Sequence, residues 1–424
     1  MRLLVLGSGA KDHAITWFFS QSKLISGLYV AHGNIGTEGI AVNLKYVNPS
    51  SPESVYRACL LHNIDTVFIG TEAPLMTGVV DFLKEKGITV FGTPSHCLKL
   101  ENDREYARDF SANNNVQIPQ HKIFKDYNSL AKFLDKNENK RFVIKSNEQA
   151  PSRVMIDSDN KQALLSFSKK LLDNTSVLLE DHIEGLPLTV TLFIDKKGYL
   201  ALPFCSEYTK TEEGGLPTGG MGAICPVPIS KDNKKLIEEK IIIPVLEGMR
   251  KENLLYRGVL TLSIILNKTL GPILVDYHVR LNDPATQAII PLIKSDAVEL
   301  YEALNNDCIG NFKLDLSNDT CTAIVLASEG YPSNPIINKE VAPISSPLLF
   351  NTFSKDLPLF FYGCVDKDGS KVITTGGRCV TIVGRSNNII KASEEAYKAV
   401  KHIQFDGVWY RKDIGIKFYD ICDF

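Results

Sequence analysis

Leu274-Val275-Asp276-Tyr277-His278-Val279-Arg280-Leu281-Asn282-Asp283-Pro284-Ala285-Thr286-Gln287 alternates polar with apolar side chains as far as Arg280 and then breaks. Successive side chains of a strand point to opposite faces, so Asp276, His278 and Arg280 are expected on one face, with Asn282-Asp283-Pro284 ending the strand in a turn. An acid, an imidazole and a guanidinium in a row cost desolvation energy unless they are partnered. The stretch is therefore either an exposed strand face or one wall of a metal and anion site. Upstream, Thr218-Gly219-Gly220-Met221-Gly222-Ala223 sets three glycines in four positions, as backbone approaching a ligand closely needs.

A chain of 424 residues suggests roughly three domains, and 44% hydrophobic residues is enough for sizeable cores. Forty-seven basic against forty-nine acidic side chains give a net charge of -2, which supports neither a nucleic-acid nor a membrane partner. The nine cysteines contain no C-x-x-C pair, so neither a zinc ribbon nor a disulfide framework is indicated; reduced thiols in a cytoplasm fit. The apolar start is too short for a signal peptide, and no run approaches the roughly 18 residues of a membrane helix.

Residues 2–6 read as a buried parallel strand, Gly7-Ser8-Gly9 as a tight turn and Asp12–Phe18 as a helix start, a place where free N–H groups favour an anion. The G-x-G is half of a dinucleotide fingerprint without its later acid, so NAD binding is disfavoured. Further strands are expected at 28–31, 66–69 and 89–91, with a helix at 76–86. Their ends carry Gly33-Asn34-Ile35-Gly36-Thr37 and Gly70-Thr71-Glu72-Ala73-Pro74-Leu75, where open parallel sheets bind ligands; ordinary βα turns are the bland alternative. A helix at 100–110 precedes a new unit beginning at Pro119, with a strand at 141–145 that ends on Lys145.

These motifs together resemble glycinamide ribonucleotide synthetases (phosphoribosylamine–glycine ligases), ATP-grasp enzymes whose segments read TGGMGA and EFNCRFGDPETQ. Their NGGREHA, PGNAGT and GPEAPL are similar to the segments at 8–14, 33–37 and 70–75; LEGSKAFAKDF is similar to 100–110. Near the end, GGYP, NGGR and RKDIG match 330–332, 375–378 and 411–415. The resemblance implies an α/β ATP-grasp fold: an N-terminal parallel-sheet domain (1–100), a large lobe (101–118 and 190–325), a small lobe (119–189) and a C-terminal α+β domain (326–424). It implies an ATP-dependent carboxylate–amine ligase forming an amide through an acyl phosphate, with a divalent cation, Mg or Mn. Arg104, Lys145, Arg153, Glu180, Asp181 and Ile183 would then bind ATP, and Asp276 and His278 the metal. Arg280 and Asp283 would serve catalysis. Gly9, His13, Asn34, Gly36, Thr37, Glu72, Pro74, Thr218, Gly219, Gly220, Met221, Gly222, Arg378 and Lys412 would bind substrate. The implied partners are a small-molecule amine and a carboxylic acid, on a cytoplasmic monomer or homodimer.

The chain departs from the family pattern in places. The glycine-rich lid of VIKADGLAAGKGV is replaced by Ser146–Val154, which holds no glycine, and Pro151 and Val154 resist the conformations a phosphate-wrapping loop needs. The hinge IVIEEFL is kept in type at 177–183, but Leu186 and Pro187 stand where GEEAS has ribose-binding acids. The SQDHKR…GPNT loop is shortened at 206–217, with Lys210 as one remaining cation. Asp276 and His278 replace a glutamate and an asparagine; imidazole suits zinc, manganese or iron better than magnesium. Ala285 removes another acid. Two readings follow: a working ligase, in the purine pathway or with another amine or acid, or a non-catalytic descendant that binds a phosphosugar-like ligand.

Overall fold

The computed structural model describes residues 1–147, 155–342 and 358–419. The chain opens on a parallel sheet of β1 (Arg2–Gly7), β2 (Gly27–His32), β3 (Val42–Asn43), β4 (Thr66–Ile69) and β5 (Thr89–Phe91), in the order β3-β2-β1-β4-β5. Leu3 to Leu6 are all fully buried, as expected where helices cover both faces of a parallel sheet. The first helix, Ala10–Ser20, starts with Gly9 as N-cap, and the side chain of Asp12 reaches back to the Gly9 N–H.

The small lobe is an antiparallel sheet of β6 (His121–Phe124), β7 (Phe142–Ser146), β8 (Met155–Ser158) and β9 (Val177–Asp181), ordered β6-β9-β7-β8. Its helices Tyr127–Asp135 and Lys161–Leu172 are capped by Asp126 and Asn160. Leu130, Leu134, Leu164 and Leu165 pack on Phe124, Phe142, Ile144 and Val177, a core separate from the rest.

In the large lobe, β10 (Leu186–Ile194), β11 (Tyr199–Ala201), β14 (Gly258–Asn267) and β15 (Gly271–His278) form the sheet β11-β10-β14-β15. A further sheet joins β12 (Ser206–Lys210) and β13 (Pro217–Cys225) to β16 (Thr320–Ala327), β20 (Arg378–Ser386) and β17 (Leu359–Tyr362). A hairpin of β18 (Val365–Asp368) and β19 (Lys371–Thr374) stands beside it.

Four expectations are corrected. The helix expected at 76–86 is two helices, Glu72–Met76 and Val79–Glu85, because Gly78 adopts φ +75 between them. The helix expected at 100–110 is broken at Asp103, which caps Arg104–Asn113 by accepting the Tyr106 N–H. β15 ends at His278, so Arg280 sits beyond the strand. The boundary placed between residues 325 and 326 cuts β16, and 206–225 belongs to the same sheet as β16 and β20.

Candidate active site

Two clusters of charge meet along β15. The first surrounds Lys145, at the end of β7, whose three N–H bonds face three acceptors: Glu180 Oε2 at 2.8 Å, Val275 O at 2.9 Å and Asp276 Oδ2 at 3.3 Å. Arg108 donates to the other oxygen of Glu180 at 2.5 Å and to Val275 O at 2.5 Å. Arg104 bonds the Ser146 carbonyl and lies 3.9 Å from Asp276 Oδ1. Burial alone would raise the Glu180 carboxyl, but Lys145 and Arg108 outweigh it and hold the group below its ordinary range. Burial works against the Arg108 charge in turn, and Glu180 and Asp276 reverse that. Asp181 and Ile183 lie next to this cluster, at the end of β9 and just after it; the Asp181 N–H bonds Gln120 O at 3.0 Å. Arg153 lies outside the described residues, as does most of the expected lid.

The second cluster begins two residues on. His278 Nε2 meets Ser263 Oγ at 2.8 Å, and its Nδ1 lies 3.8 Å from Glu101 Oε1. Arg280 reaches the same Glu101 oxygen at 3.3 Å and Glu72 Oε2 at 3.0 Å, while the other Glu101 oxygen accepts the Val279 N–H at 2.7 Å. Burial opposes the Arg280 charge; Glu101, Glu72 and Asp283 together overcome it and raise the group. Asp283 lies 3.2 Å from Arg378, and Gln287 donates to it at 2.8 Å. Lys11 donates to Leu281 O at 3.0 Å; burial and then Arg280 lower it to about 8. Burial lifts Asp12 to about 6 against the pull of Lys11.

Glu101, Arg108, Lys11 and Asp12 were missed as site residues. The signal for three of them was present: Lys11 and Asp12 lie inside the stretch similar to NGGREHA, and Glu101 is the acid of the LEGSK-like segment. Each is a charge in an otherwise well-packed element, which is costly without a partner.

Several expected substrate contacts are bonded within the chain instead. His13 is fully buried, accepts the Tyr362 N–H on Nδ1 at 2.9 Å, and burial lowers it to about 3. Asn34 donates to Ser8 O and Tyr362 O and accepts from the Gly36 N–H, while Thr37 bonds Asn34 O and Asn43. A Cβ on Gly36 would stand 2.2 Å from the His13 ring. Through Tyr362, His13 and Asn34 fasten the N-terminal domain to β17. Pro74 is buried in its helix, whereas Glu72 reaches Arg280. Gly9 is the N-cap that bonds Asp12.

The glycine-rich strand is also explained differently. A Cβ on Gly219 would lie 3.0 Å from the Arg378 guanidinium, and one on Gly220 (φ +113) would lie 2.4 Å from Asp283 O. On Gly222 it would meet Ile414 at 2.2 Å. The close approach is thus to the chain's own side chains and backbone. Arg378 donates to Gly219 O at 2.7 Å, the Thr218 hydroxyl accepts the Gly220 N–H at 3.1 Å, and Met221 is buried against Val325 and Ala327. Lys412 is exposed beside the Arg411–Asp413 pair.

Comparison with known proteins identifies the family. The families described as phosphoribosylglycinamide synthetase N domain, ATP-grasp (A) domain and C domain match residues 1–101, 102–286 and 321–417. The phosphoribosylamine–glycine ligase of Caldanaerobacter subterraneus is 32% identical over 98% of this chain and 99% of its own length. The chain belongs to the phosphoribosylamine–glycine ligase family. The trifunctional purine biosynthetic protein adenosine-3 of Gallus gallus is also 32% identical over 98% of the chain, which spans 42% of that longer protein. The crystal structure of the phosphoribosylamine–glycine ligase of Thermotoga maritima superposes with a TM-score of 0.82 at 26% identity, covering 98% of this chain and 100% of that one. The biotin carboxylase of Campylobacter jejuni, at 11% identity and TM-score 0.71, shares the fold. The family member described here is an enzyme of the ATP-grasp ligase class, with ATP and a divalent cation as cofactors. The residues present offer a row of buried cations for phosphate, and Asp276, 23% exposed, is an oxygen donor of the kind a divalent cation takes, although no group of three or more metal-ligating side chains is found among the described residues. No described helix is long and apolar enough to cross a membrane.

Proposed function

We propose that this chain joins the carboxyl group of glycine to the amine of phosphoribosylamine, forming the amide through an acyl phosphate and releasing ADP and orthophosphate. The observation that carries the reading is the order of charge along one strand end. Asp276 faces the Lys145 and Arg104 cations, and His278 and Arg280, two and four residues later, both face Glu101. A phosphate-holding region and an acid-holding region therefore adjoin, as phosphoryl transfer to a carboxylate requires.

ATP with its cation supplies the γ-phosphoryl group that activates the carboxylate. Lys145, Arg104 and Arg108 neutralise phosphate charge, and Asp276 and His278 would hold the cation. Lys145 already has an acceptor for each N–H. Its longest contact, 3.3 Å to Asp276, is the one to yield, and its loss leaves Asp276 with a carboxylate oxygen for the cation. Arg280 clamps the acid, held in place by Glu101 and Glu72. Asp283, fixed by Arg378 and Gln287, would take the proton that the incoming amine sheds.

The division into four units given by the sequence is retained with one change: 206–225 and β16 are assigned to the C-terminal sheet. A cytoplasmic monomer or homodimer completes the proposal. Turnover with glycine and phosphoribosylamine is to be followed by separate assays for ADP and AMP. ADP with orthophosphate is the expected pair; AMP with pyrophosphate excludes the acyl-phosphate route.

A further inference from the structure

Five buried side-chain atoms among the described residues have no hydrogen-bond partner: Asp12 Oδ1, His13 Nε2, Arg280 Nε, Asn282 Oδ1 and Gln287 Oε1. All of them belong to two short segments, the first turn of helix Ala10–Ser20 and the residues following β15. Buried polar atoms are nearly always satisfied, so the unpartnered atoms of Arg280 and Asn282 point to a ligand that supplies an acceptor and a donor. Arg280 Nε is a donor and Asn282 Oδ1 an acceptor, with one residue, Leu281, between them.

Asn282 is 7% exposed and spends its amide N–H on Glu207 Oε1 at 3.1 Å. Glu207 extends from β12, opposite Ala223 of the glycine-rich strand. Burial raises its carboxyl, hydrogen bonds from Asn282 and Thr189 partly counter that, and Asp283 adds to the rise. It is a partly exposed acid with amide and hydroxyl neighbours. Both residues depart from the family motifs quoted above. Glu207 stands where SQDHKR has glutamine, Asn282 where EFNCRFGDPETQ has glycine, and Ala285 where that motif has glutamate. One acid is lost at 285, another is gained at 207, and the gained one bonds the new asparagine.

We propose that Glu207 and Asn282 form an ammonium subsite for the amino-acid substrate, with Asn282 Oδ1 and the Glu207 carboxylate accepting its N–H bonds while Arg280 Nε takes an oxygen of its carboxylate. The inference rests on the ligase reading and names what distinguishes the acid: a positive amine beside the carboxylate. An amino acid supplies the missing donor and the missing acceptor in one small molecule. A hydroxy acid of equal size supplies no charge to Glu207.

Calorimetric titration of the full chain, with a non-hydrolysable ATP analogue and Mg²⁺ present, is to compare glycine with glycolate, in which a hydroxyl replaces the ammonium. Wild type is expected to bind glycine at least about tenfold more tightly. Glu207→Gln, which keeps the size and the bond to Asn282, is expected to weaken glycine by about tenfold to a hundredfold while leaving glycolate and the nucleotide analogue unchanged. Asn282→Gly, the family residue, is a second variant with the same expected direction. Equal wild-type affinity for glycine and glycolate, no measurable glycine binding, or unaltered glycine affinity in both variants overturns the subsite. Failure of the ligase reading looks different: glycine binding that depends on Glu207, without ADP formation, retains the subsite and discards the reaction.

Discussion

Replacing Glu180 by Gln tests the buried charge network directly. The Glu180, Arg108 and Lys145 side chains are 2%, 2% and 4% exposed, so the change removes one negative charge from between two buried positive ones. Lys145 retains Asp276 at 3.3 Å and the Val275 carbonyl at 2.9 Å. Arg108 is left with the same carbonyl at 2.5 Å as its remaining close acceptor. Removing one partner of a buried pair costs about 3–5 kcal/mol. Because Lys145 stays paired and Gln keeps an acceptor oxygen, the lower end, about 3 kcal/mol, is expected. The loss concentrates where β7 and β9 pair, since Lys145 and Glu180 sit on those neighbouring strands.

Hydrogen exchange followed by mass spectrometry on peptides covering 142–146 and 177–181 is the assay, because local opening free energies appear there as exchange rates. About 3 kcal/mol corresponds to exchange roughly a hundredfold faster, with peptides of β1 and β4 unchanged. The pH dependence fixes the sign. Glu180 is held below its ordinary value of 4.5, so its stabilisation is present above that pH and lost as pH falls through the lower folded value. The difference between wild type and variant should therefore be constant near neutrality and shrink only below about 4.5. Protection in β7 and β9 within threefold of wild type at pH 7 would refute the reasoning.

Gly220→Ala forces a Cβ to 2.4 Å from Asp283 O at φ +113; a loss of about 2–3 kcal/mol in urea unfolding and a fall in turnover of at least tenfold are expected, and wild-type values in both would discard the packing role. Gly222→Ala meets Ile414 at 2.2 Å and the Ala323 carbonyl at 2.8 Å but has no positive φ to keep, so it should impair turnover less than Gly220→Ala in the same assay. His13 is buried and neutral, lowered to about 3 from 6.5, so folding loses stability as pH falls below 6.5, by up to about 1.4 kcal/mol per pH unit. His13→Asn should flatten the urea midpoint between pH 6.5 and 5, and an unchanged slope would show that other groups set it. His278→Asn restores an amide oxygen and should lower the ratio of Mn²⁺- to Mg²⁺-supported turnover; an unaltered ratio removes His278 from the metal.

Much of the fold was legible because its signals are local. Thr66–Ile69 and Thr89–Phe91 are short apolar runs bounded by turn residues, and their observed limits match the expected ones. Alternation through Asp276 and His278 placed both on one side of β15. The breaks were less visible. Gly78 and Asp103 interrupt helical patterns that periodicity alone carries through, since one takes a positive φ and the other offers a carboxylate to Tyr106 N–H. Pairing between β13 and β16 joins residues nearly a hundred positions apart, and no local pattern specifies such a partner, so the C-terminal sheet was cut in the wrong place.

The site shows the same division between what a residue type announces and what its neighbours decide. Arg280 and Lys145 announced cations; their counterions Glu101 and Glu180 arrive from other elements, and only the fold reveals that Glu101 serves His278 and Arg280 at once. Glycines are more ambiguous still, because the need for an absent Cβ does not say which atom fills the space. In Thr218–Ala223 it is filled by Arg378, Asp283 and Ile414, so the strand lets Arg378 come within 3.2 Å of Asp283. That makes the motif a support for the acid-holding turn. A segment with no ionisable side chain of its own can thus shape a site built from charge.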